Sequence, residues 1–194
     1  MTRRFGATLP PMSRRSQTRS TQRFAILVSG VILLAACSGS GSSAPPDDAV
    51  PFTDPQGFYS IEIDPSWERR TDVPSESVEV WAVAPSSDGF QPNVNILRDA
   101  PGGRDLVGYM EFSEANLGSL ELVGKAVVKG ESGNELGVFE YTGRVPNADR
   151  SLHFLAIVSV TEEHAIIATL STLESDFRDI RKDVEPLLRT LRPA

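Results

Sequence analysis

The chain has 194 residues, with 19 basic and 26 acidic side chains and one cysteine, Cys37. Six of the arginines (Arg3, Arg4, Arg14, Arg15, Arg19, Arg23) lie within residues 1–23, which hold no acid, so residues 37–194 carry 13 basic against 26 acidic groups, a formal charge of −13. Such a surface repels nucleic-acid phosphates and anionic headgroups, a single cysteine excludes a disulfide framework, and roughly 140 residues suffice for one packed domain.

The basic stretch runs into Phe24-Ala25-Ile26-Leu27-Val28-Ser29-Gly30-Val31-Ile32-Leu33-Leu34-Ala35-Ala36. As a helix this run reaches about 20 Å, short of the roughly 30 Å hydrocarbon core of a bilayer. A basic region, a short apolar region and small residues before the break define a signal peptide rather than a spanning helix. Neither Thr2-Arg3-Arg4-Phe5 nor Ser13-Arg14-Arg15-Ser16 is followed by the apolar pair of a twin-arginine signal, so ordinary secretion is expected, and Met12 offers an alternative start. Leu34-Ala35-Ala36-Cys37 resembles the lipobox of bacterial lipoproteins. The resemblance implies cleavage before Cys37, a thioether-linked diacylglycerol on its sulfur, and a chain exported to the cell membrane and held there outside the cytoplasm. Residues 1–36 are then the lipoprotein signal peptide, and 37–50 the lipidated cysteine with a Ser/Gly/Pro linker whose r.m.s. reach is about 20 Å. Residues 51–194 form the domain.

Within that domain, alternation bounded by Pro, Gly, Ser and Asp predicts strands at 58–63, stopped by Asp64-Pro65, at 77–84 and at 93–97. A helix follows, capped by Asp105, with Leu106, Tyr109, Met110, Ser113 and Leu117 on one face and Gly118 as its stop. Four antiparallel strands are then predicted at 120–131, 135–145, 152–161 and 165–172. Strands 152–161 and 165–172 are apolar on both parities, which requires cover on both faces of the sheet. The closing helix begins at Asp176 and carries an apolar stripe of Phe177, Ile180, Val184, Leu187, Leu188 and Leu191. At Pro186 it either kinks or starts a new turn. The basic runs Glu68-Arg69-Arg70 and Arg178–Lys182 read as solvated faces. The fold class is α+β: a mostly antiparallel seven-stranded sheet covered by helices.

This order, opened by Gly57-Phe58-Tyr59-Ser60-Ile61 and Pro65-Ser66-Trp67, continued by Pro92-Asn93-Val94-Asn95-Ile96 and closed by Phe177, Leu187, Leu188 and Leu191, resembles the PsbP-like αβα sandwich. Within that class it is similar to the LpqN-type lipoproteins of actinobacteria. The resemblance implies a non-enzymatic envelope or assembly-accessory protein and brings no catalytic residues.

The residues themselves offer little chemistry. His153 and His164 are placed at strand or turn edges, without a ligand at H-E-x-x-H spacing; Glu162-Glu163-His164 reads as a polar hairpin turn rather than a metal or acid–base site. Paired across adjacent strands, the two histidines would still be one ligand pair short of a structural zinc site. No G-x-S-x-G elbow, phosphate-binding loop or calcium loop occurs. Trp67 and Trp81 are candidate ligand or edge contacts, since an aromatic ring supplies contact area with a polar handle, but each has a competing place in the core. No cofactor is expected beyond the lipid on Cys37. The expected function is non-catalytic binding of an envelope partner, either a protein or a lipid or glycolipid. Its rivals are an envelope hydrolase using scattered carboxylates and an assembly factor acting by protein contacts alone.

Overall fold

The computed structural model describes residues 44–70, 78–84, 90–144 and 150–194, and the side chains of 78–81 lie outside that description. Cys37, the signal motif Leu34–Ala36 and most of the linker fall outside the described residues. The rest belongs to one compact unit, Ser40–Ala194. In chain order its elements are β1 (Val50–Thr53), β2 (Tyr59–Ile63), β3 (Glu68–Arg70), β4 (Val78–Val83), β5 (Asn93–Asp99), α1 (Leu106–Ala115), β6 (Glu121–Lys129), β7 (Glu135–Gly143), β8 (Leu152–Val160), β9 (Ala165–Leu173), α2 (Phe177–Leu188) and β10 (Arg192–Pro193). Among the described residues no helix is long and apolar enough to cross a membrane.

Seven strands form one antiparallel sheet in the order β3-β4-β5-β9-β8-β7-β6. The expected count is met, with one change of membership. The segment read as the first strand of this sheet is β2, which instead sits in a separate three-stranded sheet, β1-β2-β10. Its place at the edge of the large sheet is taken by Glu68–Arg70, expected to be a solvated run. Asp64 causes the exchange: its carboxylate accepts from the Ser66 amide at 2.8 Å and the Ser66 hydroxyl at 2.6 Å, making a turn that leads the chain from one sheet to the other. A polar, charged strand suits a sheet edge, and the Arg69 guanidinium still finds the Phe52 ring at 4.9 Å. β1 was not predicted: Val50 was placed at the end of the linker and 51–53 in the domain without a strand, and Pro51 breaks the pattern of alternation. As an outer strand it tolerates the missing amide.

Cover on both faces of β8 and β9 is present. On one face Leu155, Ile157, Ile166 and Leu170 are 0–1% exposed beneath Phe177, Val184, Leu188 and Leu191 and against Tyr59 and Ile61 of the small sheet. On the other face Phe139, Ala156, Val158 and Ala165 meet Tyr109 and Met110 of α1. The helix approaches closely at Gly137, where a Cβ would stand 2.7 Å from the Met110 sulfur.

Asp105 caps α1 as expected, accepting from the Gly108 amide at 2.8 Å. The helix ends at Ala115, two residues short of Leu117, with Gly118 in the left-handed region at φ 66° just beyond. Tyr109 ties this helix to the sheet by donating to Asp99 at 2.8 Å. Burial, and then the Asp99 carboxylate, push its phenol well above the ordinary range.

Asp176 stands at the start of α2 but makes no side-chain cap, because its carboxylate instead accepts from the Ser175 hydroxyl at 2.7 Å. The helix passes through Pro186 to Leu188, and the ladder resumes with the Arg189 amide on the Glu185 carbonyl at 3.0 Å. Just beyond it, the β6–β7 turn docks on the helix end through the Glu131 amide and the Arg189 carbonyl at 3.2 Å. At Gly130 a Cβ would meet Asn134 Oδ1 at 2.6 Å, Leu136 Cδ1 at 2.8 Å and the Arg189 carbonyl at 3.0 Å. Gly130→Ala is therefore expected to cost about 1–3 kcal/mol, measured as a lower urea midpoint with an unchanged slope.

Candidate functional site

Trp67 is the one predicted contact residue whose side chain is described. It packs, half-buried, against the main core and rims an apolar crevice between β2, β4, β5 and α2. That crevice has a volume of about 20 Å³, room for one water-sized molecule and far below the roughly 300–1,000 Å³ of a small-molecule site. Trp67 packs against the core at this rim. Trp81 lies in β4, in register with Arg70 on one side and Asn95 on the other. Its backbone places it on the face of the sheet that carries Asn93, Asn95, Thr169 and Ser171 side by side. Within this polar row Asn93 is 6% exposed, and its amide nitrogen donates to the Gln91 carbonyl at 3.1 Å while its Oδ1 has no partner.

His153 is the second residue of β8, at the strand edge where the sequence placed it, but its ring is not free. It lies within β8, opposite Thr172 and Thr142, with a largely buried ring stacked on Phe177 at 3.5 Å between centroids. Its Nε2 bonds Glu140 Oε1 at 2.9 Å; a carboxylate only accepts, so this nitrogen carries the hydrogen. Glu140 Oε2 accepts from Arg181 at 2.7 Å, Arg181 Nε donates to Glu185 at 2.6 Å, and Glu185 accepts from Arg189 at 2.6 and 3.0 Å. A polar chain of five side chains therefore bolts α2 to the sheet. Burial pushes the Glu185 carboxyl up, but the hydrogen bonds from Arg181 and Arg189 outweigh it and hold the group below the usual carboxylate range. Burial opposes the Arg181 charge, and Glu185 and Glu140 overcome that too.

Sequence reading missed this chain by treating Arg178–Lys182 as a solvated face. The i,i+4 spacing of Arg181, Glu185 and Arg189 was a usable signal for its helical half, whereas Glu140 and His153 join it only through strand pairing. The two histidines stand at opposite ends of β8 and do not meet.

The open concavities lie around the β8–β9 turn. Thr161 closes that turn: its amide donates to the His164 carbonyl at 2.8 Å and its hydroxyl accepts from the His164 amide at 3.0 Å. This is the polar hairpin the sequence indicated. The His164 ring meets Phe58 edge-on at 4.6 Å, and the Arg98 guanidinium lies 3.9 Å from the centre of the same ring. On the Phe58 side the turn borders a concavity of about 360 Å³, and on the α1 side a cleft of about 660 Å³. Thr161, Glu162 and Pro193 line both. Among the described residues no group of three or more His, Cys, Asp or Glu side chains stands close enough to hold a metal ion.

No protein-family model matches the chain, and no curated protein matches it. Solved structures do share its architecture. The cyanobacterial PsbP protein CyanoP from Synechocystis sp. PCC 6803 superposes with a TM-score of 0.55 and 19% identity, covering 83% of this chain and 99% of that one. The Ran-binding protein Mog1p of Saccharomyces cerevisiae gives a TM-score of 0.54 at 8% identity over 75% of this chain and 95% of its own. LpqN of Mycobacterium tuberculosis reaches a TM-score of 0.49 at 11% identity over 76% of this chain and 86% of its own, too distant to carry the LpqN-type assignment. The chain has the PsbP-like α+β fold, an antiparallel seven-stranded sheet between helical layers.

Proposed function

We propose that this chain is a lipid-anchored, exported binding domain that contacts an envelope protein and catalyses no reaction. The small size of the apolar crevice beside Trp67, about 20 Å³ among the described residues, supports a protein over a lipid or glycolipid, whose carrier needs a continuous apolar cavity. The concavities around the β8–β9 turn are instead open and mixed in polarity, as a protein contact surface requires. By analogy of fold alone, Mog1p, a Ran-binding protein, supports the same use. Location rests on the lipobox ending at Cys37, with the linker giving reach and the anchor raising the effective concentration near a co-resident partner. The narrower LpqN-type reading adds envelope assembly to this role.

Cys37→Ala is expected to move the protein from the detergent phase to the aqueous phase almost completely on phase separation of cells of the native host. A variant that stays with the membrane would overturn the anchor. Native protein should co-purify with one membrane protein and, by native mass spectrometry, carry no lipid beyond the one covalently held on Cys37. A second, non-covalent lipid bound in stoichiometric amount, or turnover of an ester, peptide or glycan abolished by one carboxylate substitution, would overturn the binding role.

A further inference from the structure

The pairing of β7 with β8 ends at Gly137 and Val158, although β7 extends two residues further, to Glu135, and β8 two further, to Val160. Continued antiparallel register would pair Leu136 with Ser159 and Glu135 with Val160, and neither pair is formed. The 660 Å³ cleft is lined there by Glu135 of β7, by Ser159 and Val160 of β8 and by the start of α1.

The charge of this cleft is one-sided. Asp105, Glu135 and Glu162 line it against a single guanidinium, that of Arg104. Arg104 is already engaged, donating to the Pro101 carbonyl at 3.0 Å and lying 4.2 Å from the centre of the Phe112 ring. Asp105 caps its helix, which removes the attraction of that N-terminus for an anion. Glu135 pairs with Lys129 at 3.2 Å, but both side chains are about two-thirds exposed, and such a pair is worth little. Ser159 is 2% exposed, yet it lines the cleft, and its hydroxyl makes no side-chain hydrogen bond to the described residues.

We propose that this cleft receives an extended, Lys- or Arg-bearing segment of the protein partner, the cationic side chain entering beside Glu135 and Glu162 while the main chain meets the ends of β7 and β8 along the sides where they do not pair with each other. Main-chain hydrogen bonding to a free strand edge supplies affinity, and the carboxylates select the charge. The inference rests on the binding role proposed above and names its partner's chemistry.

The test uses the full chain in non-ionic detergent with a fluorescein-labelled (Ser-Lys)5 peptide and its (Ser-Glu)5 counterpart. The lysine peptide should bind and the glutamate peptide should not. Zero-length carbodiimide coupling followed by peptide mapping should place the lysine peptide on Glu135 or Glu162. The double variant Glu135→Gln/Glu162→Gln should weaken binding at least tenfold, whereas Glu111→Gln/Glu174→Gln, an equal change of charge at exposed positions elsewhere, should change it less than twofold. Coupling spread over the exposed carboxylates, or equal weakening by both pairs, would overturn the proposal. Failure of the broader binding role reads differently: no envelope protein would co-purify, while the lysine peptide still coupled at the cleft.

Discussion

Leu155→Ala should destabilise the domain by about 3 kcal/mol and lower its melting temperature by roughly 6–12 °C. Leu155 is 0% exposed at the middle of β8, directly opposite Leu170 in β9 and Glu140 in β7, on the face covered by α2. Neighbouring strands hold its surroundings on both sides, so the site cannot collapse around a smaller side chain, and the cavity term adds to the lost transfer energy. Leu155→Met conserves volume and should cost less than about 1.5 kcal/mol. Urea unfolding of the three proteins checks this. A loss below about 1 kcal/mol for the alanine variant would mean that the α2 layer is loosely seated and that the interior is less filled than the Trp67 crevice indicates.

Removing Glu185 should have an effect of similar size by a different route. The carboxylate is shared by Arg181 and Arg189, and its side chain is 15% exposed. Glu185→Ala takes from Arg189 the carboxylate it bonds and leaves Arg181 with Glu140 alone, 2.7 Å away. Breaking a buried pair from one side costs about 3–5 kcal/mol, and the one-third exposure of Arg181 reduces that to an expected loss of about 2–3 kcal/mol. The pH dependence follows from the direction of the shift. A carboxyl held below its ordinary value contributes stability that is fully present above about pH 4.5 and is lost as the pH falls through the folded value. Wild-type stability should therefore decline below that pH, and the alanine variant should decline less steeply. Denaturant titrations at pH 7 and at successive acidic values give both quantities. Equal acid slopes in the two proteins would show that other carboxylates govern the acid limb.

The parts of this fold that could be read in advance are those in which burial dictates residue type. Strands at 152–161 and 165–172 carry apolar side chains on both parities, which is possible only in a middle layer, and the stripe Phe177–Leu188 supplies one of the covers. Edges obey no such rule. β3 is Glu-Arg-Arg and β1 contains Pro51, so neither shows the alternation that marks a strand; the first was read as a solvated run and the second was not predicted. The polar chain from His153 to Arg189 was hidden for another reason: Glu140 and His153 meet across a strand pair and reach Arg181 only after α2 has docked. The cleft was less legible still. It depends on where the pairing of β7 and β8 stops, and residue type alone does not specify that point.

β5 pairs with β9, not with any strand between them in the chain: Asn93–Asp99 lies alongside Ala165–Ser171. Synthesis proceeds from the amino end, so about a third of the large sheet, β3 to β5, must wait for residues some seventy positions later before it has a neighbour to lean on. Such long-range closure slows assembly. The amino-terminal strands of the large sheet therefore join the β6 to β9 meander only once β9 has emerged.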